Sequence, residues 1–206
     1  MQAGPERLDV VANVSRRTLI ALTVLLETGL FLASALVMWI TGLRPAMSTT
    51  GLDVLIGVIV GVGLALGVVL ATRFGTTVLG QLRRDFDLVI ALFRDLSLAE
   101  IALISALAGI GEEMFFRGLL QTWLTDLIGL HVAVLLVAIT FGLLHTISRS
   151  YAVYATILGL ALGYLYHYTG SLPATILTHG VYDFVAILYG TRVLAQHSGG
   201  TEVSAE

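Results

Sequence analysis

The 206-residue chain contains no cysteine and no lysine. The first absence excludes disulfides, thiolate metal sites and a cysteine nucleophile. The second excludes a Schiff-base lysine and a serine–lysine dyad, and makes every basic side chain an arginine. Charge of either sign is scarce: charged residues make up 12% of the chain, against about 25% in soluble domains. The net charge of -3 provides no basic face for nucleic acid. A short apolar region followed by a small-residue cleavage site is also missing, so the first apolar run is expected to be retained as a span. What fills the chain is apolar: 57% hydrophobic residues and a mean hydropathy of +0.93. These values describe an integral membrane protein.

A helix crossing the hydrocarbon core needs about 20 apolar residues. Six stretches qualify as candidates: 18–40, 51–71, 98–124, 131–147, 151–168 and 171–190. The expectation is an all-α, polytopic bundle of about six spans. Gly57, Gly61, Gly63 and Gly67 give the second stretch the small-xxx-small spacing of close helix packing. Ser97-Leu-Ala-Glu100 reads as a capping box opening the third, and Ser171-Leu-Pro173 suits the start of the sixth. Arginines set the orientation. With the N-terminus inside, Arg7, Arg16, Arg17, Arg73, Arg83, Arg84, Arg94, Arg149 and Arg192 fall on the inner side and Arg44 on the outer. Both termini are thus expected in the cytoplasm of a bacterial or archaeal cell. Between 73 and 97, Leu82, Phe86, Val89, Phe93 and Leu96 recur at helical spacing among charges. That pattern suits an interfacial helix or a soluble amphipathic connector. The expected division is a two-helix membrane region with this connector over 1–96, a helical core over 97–190, and a disordered polar tail over 191–206.

Ionisable groups inside a membrane are costly and usually face a bundle interior or a water-filled cavity. Here they are Glu27, Glu112, Glu113, Arg117, His145, His179 and Asp183. Glu113 and Arg117 are four apart and share a helix face, so they can pair. Glu112 lies about 100° further round and is left for another task. His179 and Asp183 are also four apart, as are Phe141 and His145. Treating 98–124 and 131–147 as a hairpin turning near Ile128-Gly129 puts Glu112 and His145 level in depth. The same count from the turn at Thr169-Gly170 leaves His179 roughly 10 Å off level. A shielded carboxylate beside a histidine is a means of activating water. A second His/Asp group can steady an oxyanion or hold a metal. Glu27 is expected to face the bundle and bond to another helix. Ser105 and Ser148 are lone hydroxyls without a nucleophile motif, and Trp39 and Trp123 read as interfacial anchors.

GEEMFFRG (111–118) resembles the EExxxR motif of the CAAX-protease and bacteriocin-processing family. Phe141-Gly-Leu-Leu-His145 is similar to its FxxxH motif, and His179-Gly-Val-Tyr-Asp183 to its HxxxN or HxxxD motif. The resemblance covers roughly residues 97–190. It implies an intramembrane endopeptidase of helical-bundle fold acting on a membrane-associated protein or peptide. By the same resemblance Glu112 and His145 activate the attacking water, His179 and Asp183 stabilise the oxyanion, and Glu113 and Arg117 support the first motif. Asp183 departs from the prenyl-endopeptidase pattern, which has asparagine there. An ionised carboxylate only accepts hydrogen bonds, so Asp183 needs a proton, orients His179, or binds a cation. A metal-free mechanism is the favoured expectation, with zinc on Glu112, His145, His179 and Asp183 as the other. The competing readings are a catalytically silent membrane scaffold or immunity-type partner, and a proton-coupled transporter using the carboxylates as a relay.

Overall fold

The computed structural model describes residues 15–74 and 77–199. Arg7, and residues 200–206 of the expected tail, lie outside them. The architecture is a helical bundle. In chain order the helices are α1 (Arg16–Thr41), α2 (Gly51–Phe74), α3 (Thr77–Phe93), α4 (Leu98–Glu113), a π-helical stretch Met114–Gln121, α5 (Thr122–Ile128), α6 (Leu130–Leu144), α7 (Arg149–Thr169) and α8 (Leu172–Gly199). α4, the π-helical stretch and α5 form one uninterrupted rod. α8 continues to Gly199, so the expected tail from 191 onward begins as helix and not as disordered chain.

Local sequence explains the boundaries. Ser15 caps α1 through its side chain, and Gly42 closes that helix at φ 72°, a left-handed turn that favours glycine. Ser97 and Glu100 form the reciprocal capping box at α4. At α8 the Ser171 hydroxyl accepts from the Ala174 amide (3.1 Å) and donates to the Ser48 carbonyl (2.6 Å). The adjoining backbone pairs as well. Leu172 N–H donates to the Ala46 carbonyl at 2.9 Å and Ser48 N–H to the Gly170 carbonyl at 3.2 Å. The α1–α2 connection is thereby clamped to the α7–α8 turn.

α8 is the centre of the bundle, packed by α2 on one side and α4 on another, while α6 and α7 form a hairpin and α1 lies along α4. Helices in lipid associate by close packing, not by apolar burial from water, and the contacts here are lined by small residues. A Cβ at Gly57 would lie 2.8 Å from Leu177 Cβ, and one at Gly61 2.7 Å from the Thr178 carbonyl. Gly63 and Gly67 face open space, so only half of the glycine pattern of α2 serves packing. Large side chains such as Leu25, Trp39, Leu55, Ile59, Trp123 and Leu143 are exposed. An outward apolar belt of that kind belongs against hydrocarbon, and the chain is an integral membrane protein.

Among the described residues, three helical segments are long and apolar enough to cross a membrane by themselves: Arg16–Thr41, Gly51–Ala71 and Leu172–Arg192. The other three expected spans differ for physical reasons. α6 is about 22 Å long at 1.5 Å per residue, short of a roughly 30 Å core. The α4–α5 rod carries Glu112, Glu113 and Arg117, and α7 is rich in tyrosine and glycine. The amphipathic segment is helical, as its spacing suggests, but its apolar stripe lies against the bundle. Leu82 and Ile90 are buried, and Phe86 meets Tyr151 and Tyr154 edge-on or tilted. Asp85, also buried, accepts from Gln81 and from Ser148, which ties α3 to the start of α7.

Candidate active site

Glu112 and Glu113 end α4, where the chain enters the wider i→i+5 turns of Met114–Gln121. Such turns recur at functional sites. Glu113 and Arg117 are wholly enclosed, and Arg117 Nη1 donates to Glu113 Oε1 at 2.7 Å. Arg117 Nη2 donates to the Gly159 carbonyl on α7 at 2.9 Å, and one turn on Gln121 donates to the Gly163 carbonyl, also at 2.9 Å. The guanidinium lies 5.2 Å from the Phe141 ring centroid, within cation–π range. A buried charge needs such a shell of partners.

The same Glu113 oxygen accepts from His179 Nδ1 at 2.8 Å. This contact fixes the imidazole with Nε2 turned to Glu112 Oε2 (3.9 Å) and Asp183 Oδ2 (3.5 Å). His145 is held in a matching way. It caps the C-terminal end of α6, and its Nδ1 donates to the Phe141 carbonyl at 2.8 Å. Its ring stacks on Phe141 with centroids 4.3 Å apart. His145 Nε2 then faces Glu112 Oε1 at 3.7 Å. The four-residue spacing of Phe141 and His145 thus has two physical uses, a carbonyl acceptor and a ring to stack on.

Glu112, His145, His179 and Asp183 line a cavity of about 420 Å³. Phe86, Ile90, Tyr151 and Tyr154 form much of its apolar wall. All six candidate site residues converge, with Glu113 and Arg117 enclosed behind the four that reach the cavity. The 10 Å depth offset anticipated for His179 is absent. It presupposes that the two outer turns are level, and they are not. Leu172 packs against Gly118, where a Cβ would lie 3.2 Å from Leu172 Cδ2. The α7–α8 turn therefore sits deeper than the Ile128-Gly129 turn, by roughly ten residues of helix or about 15 Å.

Two features escape a reading by spacing. Glu27, expected to bond to another helix, is buried and lines the cavity, yet its Oε2 has no hydrogen-bond partner. Glu112 Oε2 is also buried without a partner. As for a metal, zinc requires donors about 2.0–2.2 Å from one point. Glu112 turns a different oxygen to each histidine. Among the described residues, no group of three or more His, Asp or Glu is disposed to hold an ion. The residues as arranged do not fit a zinc site.

Residues 94–185 match the family model Rce1-like, described as type II CAAX prenyl endopeptidase Rce1-like. This segment is similar to the CAAX-protease family. The match takes in α4, the π-helical stretch, α5, α6, α7 and the part of α8 that carries His179 and Asp183. It leaves α1, and Glu27 with it, outside. No curated protein and no solved structure matches the chain. The family so matched is one of endopeptidases, which take a protein or peptide as substrate, and the apolar helices imply a bilayer as the setting.

Proposed function

We propose that the protein is an intramembrane endopeptidase that hydrolyses a peptide bond of a membrane-associated protein or peptide with an activated water. The observation that carries this reading is the Glu112 carboxylate, its Oε2 buried without a hydrogen bond, facing two histidines whose other ring nitrogens are already engaged. A carbonyl oxygen only accepts, so His145 Nδ1 bears the hydrogen and the neutral ring keeps its lone pair on Nε2. Glu112 Oε1 and His145 Nε2 are then two acceptors 3.7 Å apart. A water at about 2.8 Å from each donates one hydrogen to either side, and its oxygen lone pairs turn toward the substrate carbonyl. Glu112 takes the proton as the oxygen attacks.

His179 supplies the opposite pole. With Nδ1–H on Glu113, a proton on Nε2 is directed into the cavity, where negative charge develops on the carbonyl oxygen. Glu113 and Arg117 are positioning residues for that ring. Asp183, at 3.5 Å from His179 Nε2, favours the protonated ring between substrates and is no donor in the ionised form. No step passes through a metal. With the charge distribution, this reading also proposes cytoplasmic N- and C-termini and about six spans, the shorter helices being accommodated by tilt or local thinning.

The test is proteomics of membrane-protein cleavage in cells carrying wild type or Glu112→Ala. Peptides generated only by the wild type are the expected result. Identical cleavage patterns from two equally expressed, folded proteins would refute hydrolysis by Glu112 and favour the scaffold reading.

A further inference from the structure

The site has a base and a group for the oxyanion, and the departing amine also needs a proton. Glu27 answers to the need. It projects from the middle of α1, is 5% exposed, and lines the same cavity as Glu112, His145, His179 and Asp183. It lies within electrostatic reach of all four. The backbone of α4 makes room for it: a Cβ on Gly111 would lie 2.6 Å from both Glu27 Oε2 and the Glu27 carbonyl. Glycine directly before Glu112 thus lets α1 approach close enough for a second carboxyl to reach the centre.

The protonated His179 ring already faces Glu112 and Asp183. Arg117 is committed to Glu113 and Gly159, and the chain has no lysine. Glu112 and Asp183 face the same space, so a further negative charge there is opposed by both. A buried carboxyl without an ion partner or a hydrogen bond is held at least cost as the neutral acid. A neutral acid with no acceptor of its own has an O–H free for a substrate atom.

We propose that Glu27 is the general acid of this site, giving its proton to the amide nitrogen of the scissile bond. The role rests on the hydrolase reading. In the balanced sequence, water oxygen bonds to the carbonyl carbon while Glu112 takes a water proton. The C–N bond then breaks, its electron pair stays on nitrogen, and the Glu27 carboxyl proton moves to that nitrogen. Glu112 ends protonated and Glu27 ionised, and transfer of that proton from Glu112 to Glu27 through cavity water restores both. The net change is one peptide bond and one water converted to a carboxylic acid and an amine.

The experiment uses the full chain in detergent micelles with two probes: a quenched-fluorescent farnesylated peptide, and the same peptide with an ester at the scissile bond. An alkoxide leaves with less help from an acid than an amine does. Glu27→Gln is expected to lower kcat on the amide by about 10²–10⁴-fold, the range for a general acid, with KM unchanged. On the ester it should lose less than about tenfold, well under the range for loss of such a catalyst, and Glu27→Asp should recover part of the amide rate. Glu112→Gln should lose both substrates. The ester-to-amide ratio is a property of each folded molecule, so partial misfolding does not mimic it. An unchanged amide rate in Glu27→Gln, or equal losses on amide and ester, overturns the proposal and leaves the peptidase reading standing. Wild type inert on both probes, with Glu112→Ala no different from it, counts against the hydrolase reading and takes this role with it. Infrared spectroscopy gives a readout without turnover. At neutral pH the carbonyl stretch of a protonated carboxyl should be present in wild type and missing in Glu27→Gln. The same spectrum from both proteins refutes the neutral acid.

Discussion

Removing the charge of Arg117 and of Glu113, singly and together, separates what holds the bundle from what performs the chemistry. Both side chains are fully enclosed and joined at 2.7 Å. Arg117→Met leaves Glu113 with His179, and Glu113→Leu leaves Arg117 with the Gly159 carbonyl and the Phe141 ring face. Breaking a buried pair from one side costs about 3–5 kcal/mol, because the remaining charge has no compensation. At about 2–4 °C per kcal/mol for a chain of this size, each single variant should melt roughly 6–20 °C below wild type. The double variant removes both charges and fills the space with apolar atoms, which is often close to neutral. Two single losses of about 3–5 kcal/mol each sum to about 6–10 kcal/mol, and the double variant should recover most of that sum. Cleavage should not return with it, because His179 Nδ1 then has no acceptor and Nε2 is no longer aimed. Thermal melts in detergent, read beside turnover, provide the comparison. Additive destabilisation in the double variant, or recovery of activity with stability, would refute this account of the pair.

Other expectations follow from the same geometry. His145→Ala and His179→Ala should each lower turnover by about 10²-fold or more while still inserting into the membrane, and full activity in both removes the water and oxyanion assignments. Exhaustive chelation should leave the purified enzyme active, with far less than one zinc per chain by elemental analysis, whereas activity lost to chelator and restored by zinc makes Asp183 a ligand. Cysteines placed singly at Ser15, Thr125 and Ser198 of this cysteine-free chain report topology: an impermeant thiol reagent should reach only Thr125→Cys in intact cells, and labelling of Ser198→Cys from outside reverses the orientation. Gly142→Ala forces a Cβ to within 2.5 Å of the Ala152 carbonyl and should cost about 1–3 kcal/mol, while Gly63→Ala meets nothing within 4 Å and should stabilise α2 by about 0.5–1 kcal/mol. Equal melting of the two variants contradicts the packing described.

Features that depend on spacing along one helix are legible in the amino-acid sequence alone. Glu113 and Arg117 pair because four residues is one helical turn, and the capping box at Ser97 needs only its own first turn. Glu112 and His145 meet because one short hairpin sets both depths. Legibility fades where depth depends on a second turn. His179 reads as misplaced because nothing in its own segment reports that the α7–α8 turn seats on Gly118 and is clamped to residues 46–48. Glu27 is harder still. A lone carboxylate on α1 does not reveal which neighbour it faces, and the only local hint is the glycine preceding Glu112. The inward turn of the apolar stripe of α3 is equally hidden, since amphipathic spacing names a face and not what covers it.

The wide turns between Met114 and Gln121 have an implication for comparing chains of this kind. A helix that changes from i→i+4 to i→i+5 bonding and back holds surplus residues relative to a straight α path, so its two ends obey different angular phases. Glu113 answers to His179 on α8, while Arg117 and Gln121 answer to the Gly159 and Gly163 carbonyls, four residues apart on α7. Loss of one residue within this stretch can be absorbed by tightening a wide turn, which keeps the helix beyond it near its present phase; without that tightening everything beyond rotates by about 100°. Trp123 and the rest of α5 would point elsewhere while the two glutamates stayed put. An alignment gap placed here is thus either taken up by the wide turns or expressed as a rotation of the far end of the rod.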